Sequence, residues 1–281
     1  MISVAEALKF GESQLLVGGV ADPRREAASL LAHVLKKERT FFYTYPEHVI
    51  DSVDIEAYHS AVSRRAAREP LQYITGTQEF FGMEFDVTPE VLIPRPETEM
   101  VVEAAIQLLS TGDVFCEVGS GSGCIAVAIL KNRAEVSGVA LDVSPAALEV
   151  TKRNAAKHDV LGRLQTLRSD VFAALDPGER FEMIVSNPPY VPVKDLGGLQ
   201  AEVRDFEPKV ALTDGSDGLS IIRTLILESP EYLRKEGYLL IEIGFGQSEN
   251  VAEMFDPGLW RPAEFLPDLQ GIPRLVRAQL R

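Results

Sequence analysis

The stretch Val114-Phe115-Cys116-Glu117-Val118-Gly119-Ser120-Gly121-Ser122-Gly123-Cys124-Ile125-Ala126-Val127-Ala128-Ile129-Leu130 decides how this chain folds. Its first five residues are a short apolar run interrupted by one acid and read as a buried strand, 114–118. Its last seven are apolar and read as part of a helix, 123–131. Between them, alternate glycines let the backbone turn tightly and approach a ligand closely. The helix N-terminus adds unpaired N–H groups. Strand, glycine turn and helix open an alternating α/β sheet, which binds ligands at the C-terminal edge of its strands.

Downstream, the alternation continues. Strands are expected at 137–142, 164–169, 181–186 and 238–243, with a helix at 145–157 begun by Ser144-Pro145 as cap and first-turn residue. A mostly parallel sheet with helices on both faces follows, and Glu264–Arg281 adds strands at an edge. Upstream, residues 1 to about 70 read as helical. Ala5, Leu8, Leu15 and Leu16 recur at helical spacing, as do Ala27, Leu30, Leu31 and Val34. Asp22-Pro23 offers a cap, and Val53–Arg68 an amphipathic helix with a basic end. Gln78–Val87 reads as a hairpin around Gly82. The expected division is 1–75 helical, 76–96 hairpin linker and 97–281 sheet domain.

The net charge is -14, which argues against tight, non-specific binding to a phosphate backbone and suits a cationic cofactor or a basic protein partner. No apolar run is long enough to cross a bilayer, and Met1-Ile2-Ser3-Val4-Ala5-Glu6 lacks the pattern of a signal peptide. Two cysteines, Cys116 and Cys124, are too few for a disulfide framework, and the four histidines show no metal spacing. A cytoplasmic protein that binds no metal is the expectation.

Four strand ends carry candidate site residues. Glu117, beside the loop Gly119, Ser120, Gly121, Ser122 and Gly123, is placed to hold an ammonium group. Asp142 closes the second strand, where a carboxylate can accept both hydroxyls of a ribose. Asp170 closes the third and can accept an adenine amino hydrogen, with Val171 and Phe172 as an apolar wall. No phosphate-binding Lys follows the glycines, and Cys124 stands where the dinucleotide fingerprint has its third Gly. A nucleoside joined to an amino-acid ammonium describes S-adenosylmethionine better than NAD. Asn187-Pro188-Pro189-Tyr190 ends the fourth strand. It offers an amide oxygen, a rigid carbonyl and an aromatic face, a group suited to gripping a planar NH2.

These residues carry a resemblance. The sequence resembles the PrmC/HemK family, S-adenosylmethionine-dependent methyltransferases acting on a glutamine of class I peptide-chain release factors. The glycine loop, Asp142 and Asn187–Tyr190 match generic methyltransferase motifs. More specific are Gln72-Tyr73-Ile74 with Gly76, Glu79-Phe80 and Gly82, then Leu92-Ile93-Pro94-Arg95-Pro96-Glu97-Thr98-Glu99, then Phe206-Glu207-Pro208 with Asp217-Gly218-Leu219. Glu117 replaces the expected Asp, and Val171 stands where some relatives have a large aromatic. The resemblance implies a Rossmann-like class I methyltransferase sheet with a small helical N-terminal domain for partner recognition. It also implies a monomer that methylates the glutamine of a Gly-Gly-Gln motif and modulates translation termination. Asn187, Pro188 and Tyr190 are then the catalytic candidates. Asn187 also serves the cofactor, and Pro189, Arg95 and Glu97 join the substrate group. Rival readings are an adenine or cytosine methyltransferase acting on nucleic acid, a methyltransferase for a ribosomal-protein glutamine, and a non-catalytic S-adenosylmethionine-binding protein.

Overall fold

The computed structural model describes residues 2–281, which form two compact units. The first comprises residues 2–77 with Gln200–Phe206, and the second Gln78–Leu199 with Glu207–Arg281.

The first unit is helical, with helices at Val4–Val17, Pro23–Leu35, Arg39–Thr44, Ser52–Ala66 and Leu71–Thr75. The short strands β1 (Ile2–Ser3) and β2 (Val49–Ile50) pair antiparallel. Ser3 and Glu6 form a reciprocal cap on the first helix. Its buried stripe is Val4, Ala7, Gly11 and Leu15, whereas Ala5 and Leu16 face outward. Gly11 sets that choice: a Cβ there would lie 2.0 Å from the hydroxyl of buried Tyr58, so only glycine lets the helices close. Asp22 stands at the expected cap position, but its side chain makes no capping bond. The first-turn proline starts that helix without it. Arg65, 5% exposed, pairs with Glu26 and Glu202, and Glu202 also takes Arg68. These pairs explain why Gln200–Phe206, distant in sequence, belongs to this unit.

The hairpin strands β3 (Thr77–Phe80) and β4 (Met83–Asp86) follow, all but Thr77 within the second unit. Its sheet contains β5 (Val114–Val118), β6 (Ser137–Asp142), β7 (Leu164–Arg168), β8 (Phe181–Ser186), β9 (Leu233–Glu242), β10 (Glu264–Pro267) and β11 (Pro273–Gln279). The order is β10-β11-β9-β8-β5-β6-β7. The five strands from β9 to β7 run parallel, and β11 and β10 add an antiparallel edge. Both faces are buried, as parallel sheets require. On one, Phe115, Ala140, Met183 and Leu240 meet helices Glu99–Leu108 and Cys124–Asn132. On the other, Cys116, Leu141, Ile184 and Ile241 meet Ser220–Glu228. β9 begins at 233 rather than the expected 238. Its early part is the charged run Arg234-Lys235-Glu236, and Glu236 takes φ +65° where the register with β8 shifts. A bulge of this kind erases the alternation by which strands are recognised.

The chain enters the sheet at β5, proceeds outward to β7, then returns to β8 on the other side of β5. A crevice therefore opens beyond the C-terminal ends of β5 and β8, the switch point at which such sheets take ligands.

Candidate functional site

A cavity of about 310 Å³ lies at those strand ends, within the range of small-molecule sites. Its floor is the loop after β5. Gly119 and Gly121 have φ of +76° and +53°, and the loop's amides are tied down within the protein: those of Gly119 and Ser120 donate to the Leu141 carbonyl, that of Gly121 to Asp142 and that of Gly123 to the Ser120 carbonyl. Ser120 and Ser122 also line the cavity, while Gly123 (φ +78°) caps the helix Cys124–Asn132 beneath it. Two side chains of the helix Pro145–Lys157 hold the loop in place. Thr151 bonds the Gly121 carbonyl and the Ser120 hydroxyl, and the Asn154 amide donates to the Ser122 carbonyl.

Two acids face this floor. Glu117 is 1% exposed and accepts from the Ala126 N–H. Burial, with the Asp142 charge adding to it, pushes its carboxyl well above the usual range. Asp142 accepts the Gly121 N–H at 2.8 Å on one oxygen and the Ser144 N–H at 2.9 Å on the other. Burial raises its pKa and these amides oppose the rise. Each oxygen keeps a lone pair free for a ligand hydroxyl. Asp170 and Val171 form the next wall. Val171 has φ +46°, a strained backbone for a β-branched residue. Phe172 is a correction to the sequence reading: it is buried in the core, stacked on Tyr232 at 4.9 Å, and does not line the cavity. The turn after β7 sends Val171 outward and lets the larger apolar ring take the buried position.

At the far end, Asn187 and Pro189 line the cavity, whereas Pro188 is buried behind them. The Asn187 amide donates to the Thr98 hydroxyl at 3.0 Å, leaving its side-chain oxygen free of that bond. Tyr190 departs from expectation. Its ring packs near Gly244 and its hydroxyl donates to Glu242 at 3.1 Å, instead of giving the cavity a stacking face. A phenol this buried needs a partner for its O–H, and Glu242 supplies it. Arg95 lines the cavity while paired with buried Glu207, which also accepts the Ile93 N–H. Glu97 is exposed on the turn Pro96–Thr98 and does not line the cavity. Among the described residues, no cluster of His, Cys, Asp or Glu could hold a metal ion, and no helix is long and apolar enough to cross a membrane.

Residues 6–76 match the family described as PrmC N-terminal domain, and residues 97–199 the one described as methyltransferase small domain. A release factor glutamine methyltransferase of Geobacter sulfurreducens is 40% identical over 278 residues, spanning 99% of this chain and 97% of its own. The chain belongs to the release factor glutamine methyltransferase family. A second relative of that description, from Nitratidesulfovibrio vulgaris, is 40% identical over 97% of this chain and 93% of its own. Among solved structures, a methyltransferase from Pyrococcus furiosus aligns with a TM-score of 0.53 at 16% identity, over 72% of this chain and 90% of that one, a likeness of fold.

In this member of the glutamine methyltransferase family, several structural partners of the site were not visible as such in the sequence. Thr98 and Glu242 hold the two ends of Asn187–Tyr190. Gln247 donates to the carbonyls of Tyr190 and Gly218. Asp214 binds the N–H groups of Ser216, Gly218 and Ser220, winding residues 214–220 into a brace against the Tyr190 backbone. Gly218 has φ +77°, and a Cβ there would lie 2.2 Å from the Tyr190 carbonyl oxygen. Gly218→Ala is expected to destabilise the fold by about 1–3 kcal/mol in urea unfolding, since strain and overpacking combine. It is also expected to slow turnover. A variant with wild-type stability and rate would mean that the brace is dispensable.

Proposed function

We propose that the chain transfers a methyl group from S-adenosylmethionine to the side-chain amide nitrogen of the glutamine in the Gly-Gly-Gln motif of class I peptide-chain release factors, and so modulates translation termination. The observation that carries this reading is the orientation of Asn187. One NH2 hydrogen is held by Thr98 and the side-chain oxygen of this cavity-lining residue is left free to accept, the complement of an NH2 on the substrate. The names of the similar proteins support the choice of substrate.

The cavity suits the cofactor on chemical grounds. Buried Glu117 is a carboxyl that a cationic ammonium would restore to its charged form. Asp142 keeps lone pairs for two ribose hydroxyls, and Asp170 and Val171 stand where an adenine amino group and ring would lie. When bound, S-adenosylmethionine supplies an electrophilic methyl on a sulfonium and releases S-adenosylhomocysteine.

An amide nitrogen is a poor nucleophile because its lone pair is delocalised into the carbonyl. Orientation is therefore the protein's main contribution, and it can lower a barrier by roughly 7–11 kcal/mol in favourable cases. Asn187 Oδ1 accepts one amide hydrogen, orients the amide and stabilises the positive charge that develops on nitrogen, whose proton leaves to water after transfer. Pro188, buried behind this corner, supports it rather than meeting the substrate. Tyr190 and Pro189 hold this corner rigid. Arg95 stays near the entrance, and exposed Glu97 is available to the protein substrate. We further propose a cytoplasmic monomer whose helical unit recognises the release factor; the net charge of -14 favours a protein substrate over nucleic acid.

Fragmentation mass spectrometry of the factor after incubation tests the chemistry. A methyl on the glutamine side-chain nitrogen is expected. A methyl on any other atom, or none, would refute the assignment.

A further inference from the structure

Among the described residues that line the cavity, Arg95 is the one base, beside the acids Glu90, Glu117, Asp142, Asp170 and Asp214. Its guanidinium is paired with Glu207, a side chain 1% exposed and 112 residues distant in sequence. Glu207 also accepts the Ile93 N–H at 3.3 Å, so one carboxylate holds both the charge and the backbone of the Arg95 segment. That segment borders the corner where the methyl is passed on. The Thr98 N–H donates to the Arg95 carbonyl at 3.1 Å, and the Thr98 hydroxyl accepts from Asn187.

We infer that Glu207 is a specificity-determining residue: as the counter-ion of Arg95 it keeps an uncompensated positive charge out of the cavity, and so sets the preference of the site for the cationic methyl donor over its product. The inference rests on the S-adenosylmethionine reading of this cavity. S-adenosylmethionine and S-adenosylhomocysteine share the nucleoside, the ammonium and the carboxylate. They differ by the methyl group and by the positive charge on sulfur. A contact to the shared parts changes both affinities alike, whereas a charge in the wall acts on the sulfonium and leaves the thioether untouched. Paired with Glu207, Arg95 adds little net charge, and the acids of the wall set the sign of the field. The same field loosens its hold once the methyl has left, because the product no longer carries the charge on sulfur.

The placement of Glu207 suits this role. It stands behind the wall and does not line the cavity, so it adds charge without touching a ligand. Its burial shields the pair from the salt that screens exposed charges. Burial pushes its carboxyl up, and the Arg95 charge and the Ile93 N–H oppose the rise. Removing one partner of such a pair leaves the other charge uncompensated. Pro208 follows and starts the short helix Lys209–Leu212, whose Val210 and Ala211 line the cavity. Glu207 is thus fixed from the cavity wall on one side and from Ile93 and Arg95 on the other.

The test is titration calorimetry of S-adenosylmethionine and of S-adenosylhomocysteine on wild type, Glu207→Gln, the double variant Arg95→Met with Glu207→Gln, and Arg95→Glu. Glutamine keeps the shape of Glu207 and an acceptor for Ile93, and removes only the charge. Glu207→Gln is expected to weaken S-adenosylmethionine relative to S-adenosylhomocysteine by ~3- to 30-fold, the range for a unit charge at about 8 Å between the screening of water and that near a protein surface. The double variant has no charge at either position and should return the wild-type ratio. Arg95→Glu should move the ratio the other way, toward S-adenosylmethionine. An unchanged ratio in Glu207→Gln, including equal weakening of both ligands, or a double variant that keeps the altered ratio, would overturn the inference. If Glu207→Gln does not fold, Arg95→Glu decides alone, and an unchanged ratio there overturns it. A wild-type protein that binds neither ligand would defeat the cofactor reading itself, whereas firm binding of both with a ratio indifferent to Glu207 defeats only the counter-ion role.

Discussion

Asn187→Ala is expected to lower the single-turnover rate of methyl transfer roughly 10²- to 10³-fold while leaving the S-adenosylmethionine dissociation constant nearly unchanged, the scale found when one preorganised group facing transition-state charge is removed. The reason is local. The Asn187 NH2 is held by Thr98, so the oxygen is already aimed and costs no reorganisation during reaction. Alanine deletes that acceptor and leaves the glycine loop, Asp142 and Asp170 as they were. Calorimetry and rapid-quench kinetics on the same preparation separate the two quantities. An unchanged rate would remove Asn187 from the chemistry, and a lost cofactor affinity would place it in the cofactor site instead.

Asp142→Ala should do the reverse. Each carboxylate oxygen already holds one backbone amide, from Gly121 and from Ser144, and has capacity for one ligand hydroxyl. Removing two charge-assisted bonds is expected to cost about 2–3 kcal/mol of cofactor binding, roughly a 30- to 150-fold weaker dissociation constant. The same change frees the Gly121 amide, so the loss includes some loosening of the floor. Asp142→Asn, which keeps one acceptor, should fall between wild type and alanine. Titration calorimetry reads the effect, and an unchanged dissociation constant for Asp142→Ala would refute the ribose assignment.

The sheet was legible because its strands are written as short apolar runs between helices, and β5, β6 and β8 lie where those runs place them. The charged, bulged start of β9 was not, since Glu236 and Gly237 break the alternation that signals a strand. In the first helix the longest apolar residues suggested one face, but Gly11 buries another by admitting Tyr58. In the site, residues that meet the cavity from strand ends could be proposed from position alone: Glu117, Asp142, Asp170 and Asn187. Their supports could not, because each comes from a distant segment. Thr98 lies 89 residues from Asn187, and Glu242 lies 52 from Tyr190. A buried acid ending an apolar strand was the available signal for Glu242. Phe172 and Val171 show the limit of such reading. Adjacent apolar residues after a strand are equivalent in sequence, and the left-handed turn at Val171 decides which one the cavity meets.

The measurement that bears most directly on the central claim is methyl transfer from labelled S-adenosylmethionine to a purified class I release factor. It is run beside the Gln→Ala variant of the factor's Gly-Gly-Gln motif and an unmethylated DNA duplex. Label on the wild-type factor alone is the predicted result. Label on the DNA, or equal label on both factors, would mean that the Asn187 corner serves a different amine and would contradict the glutamine assignment.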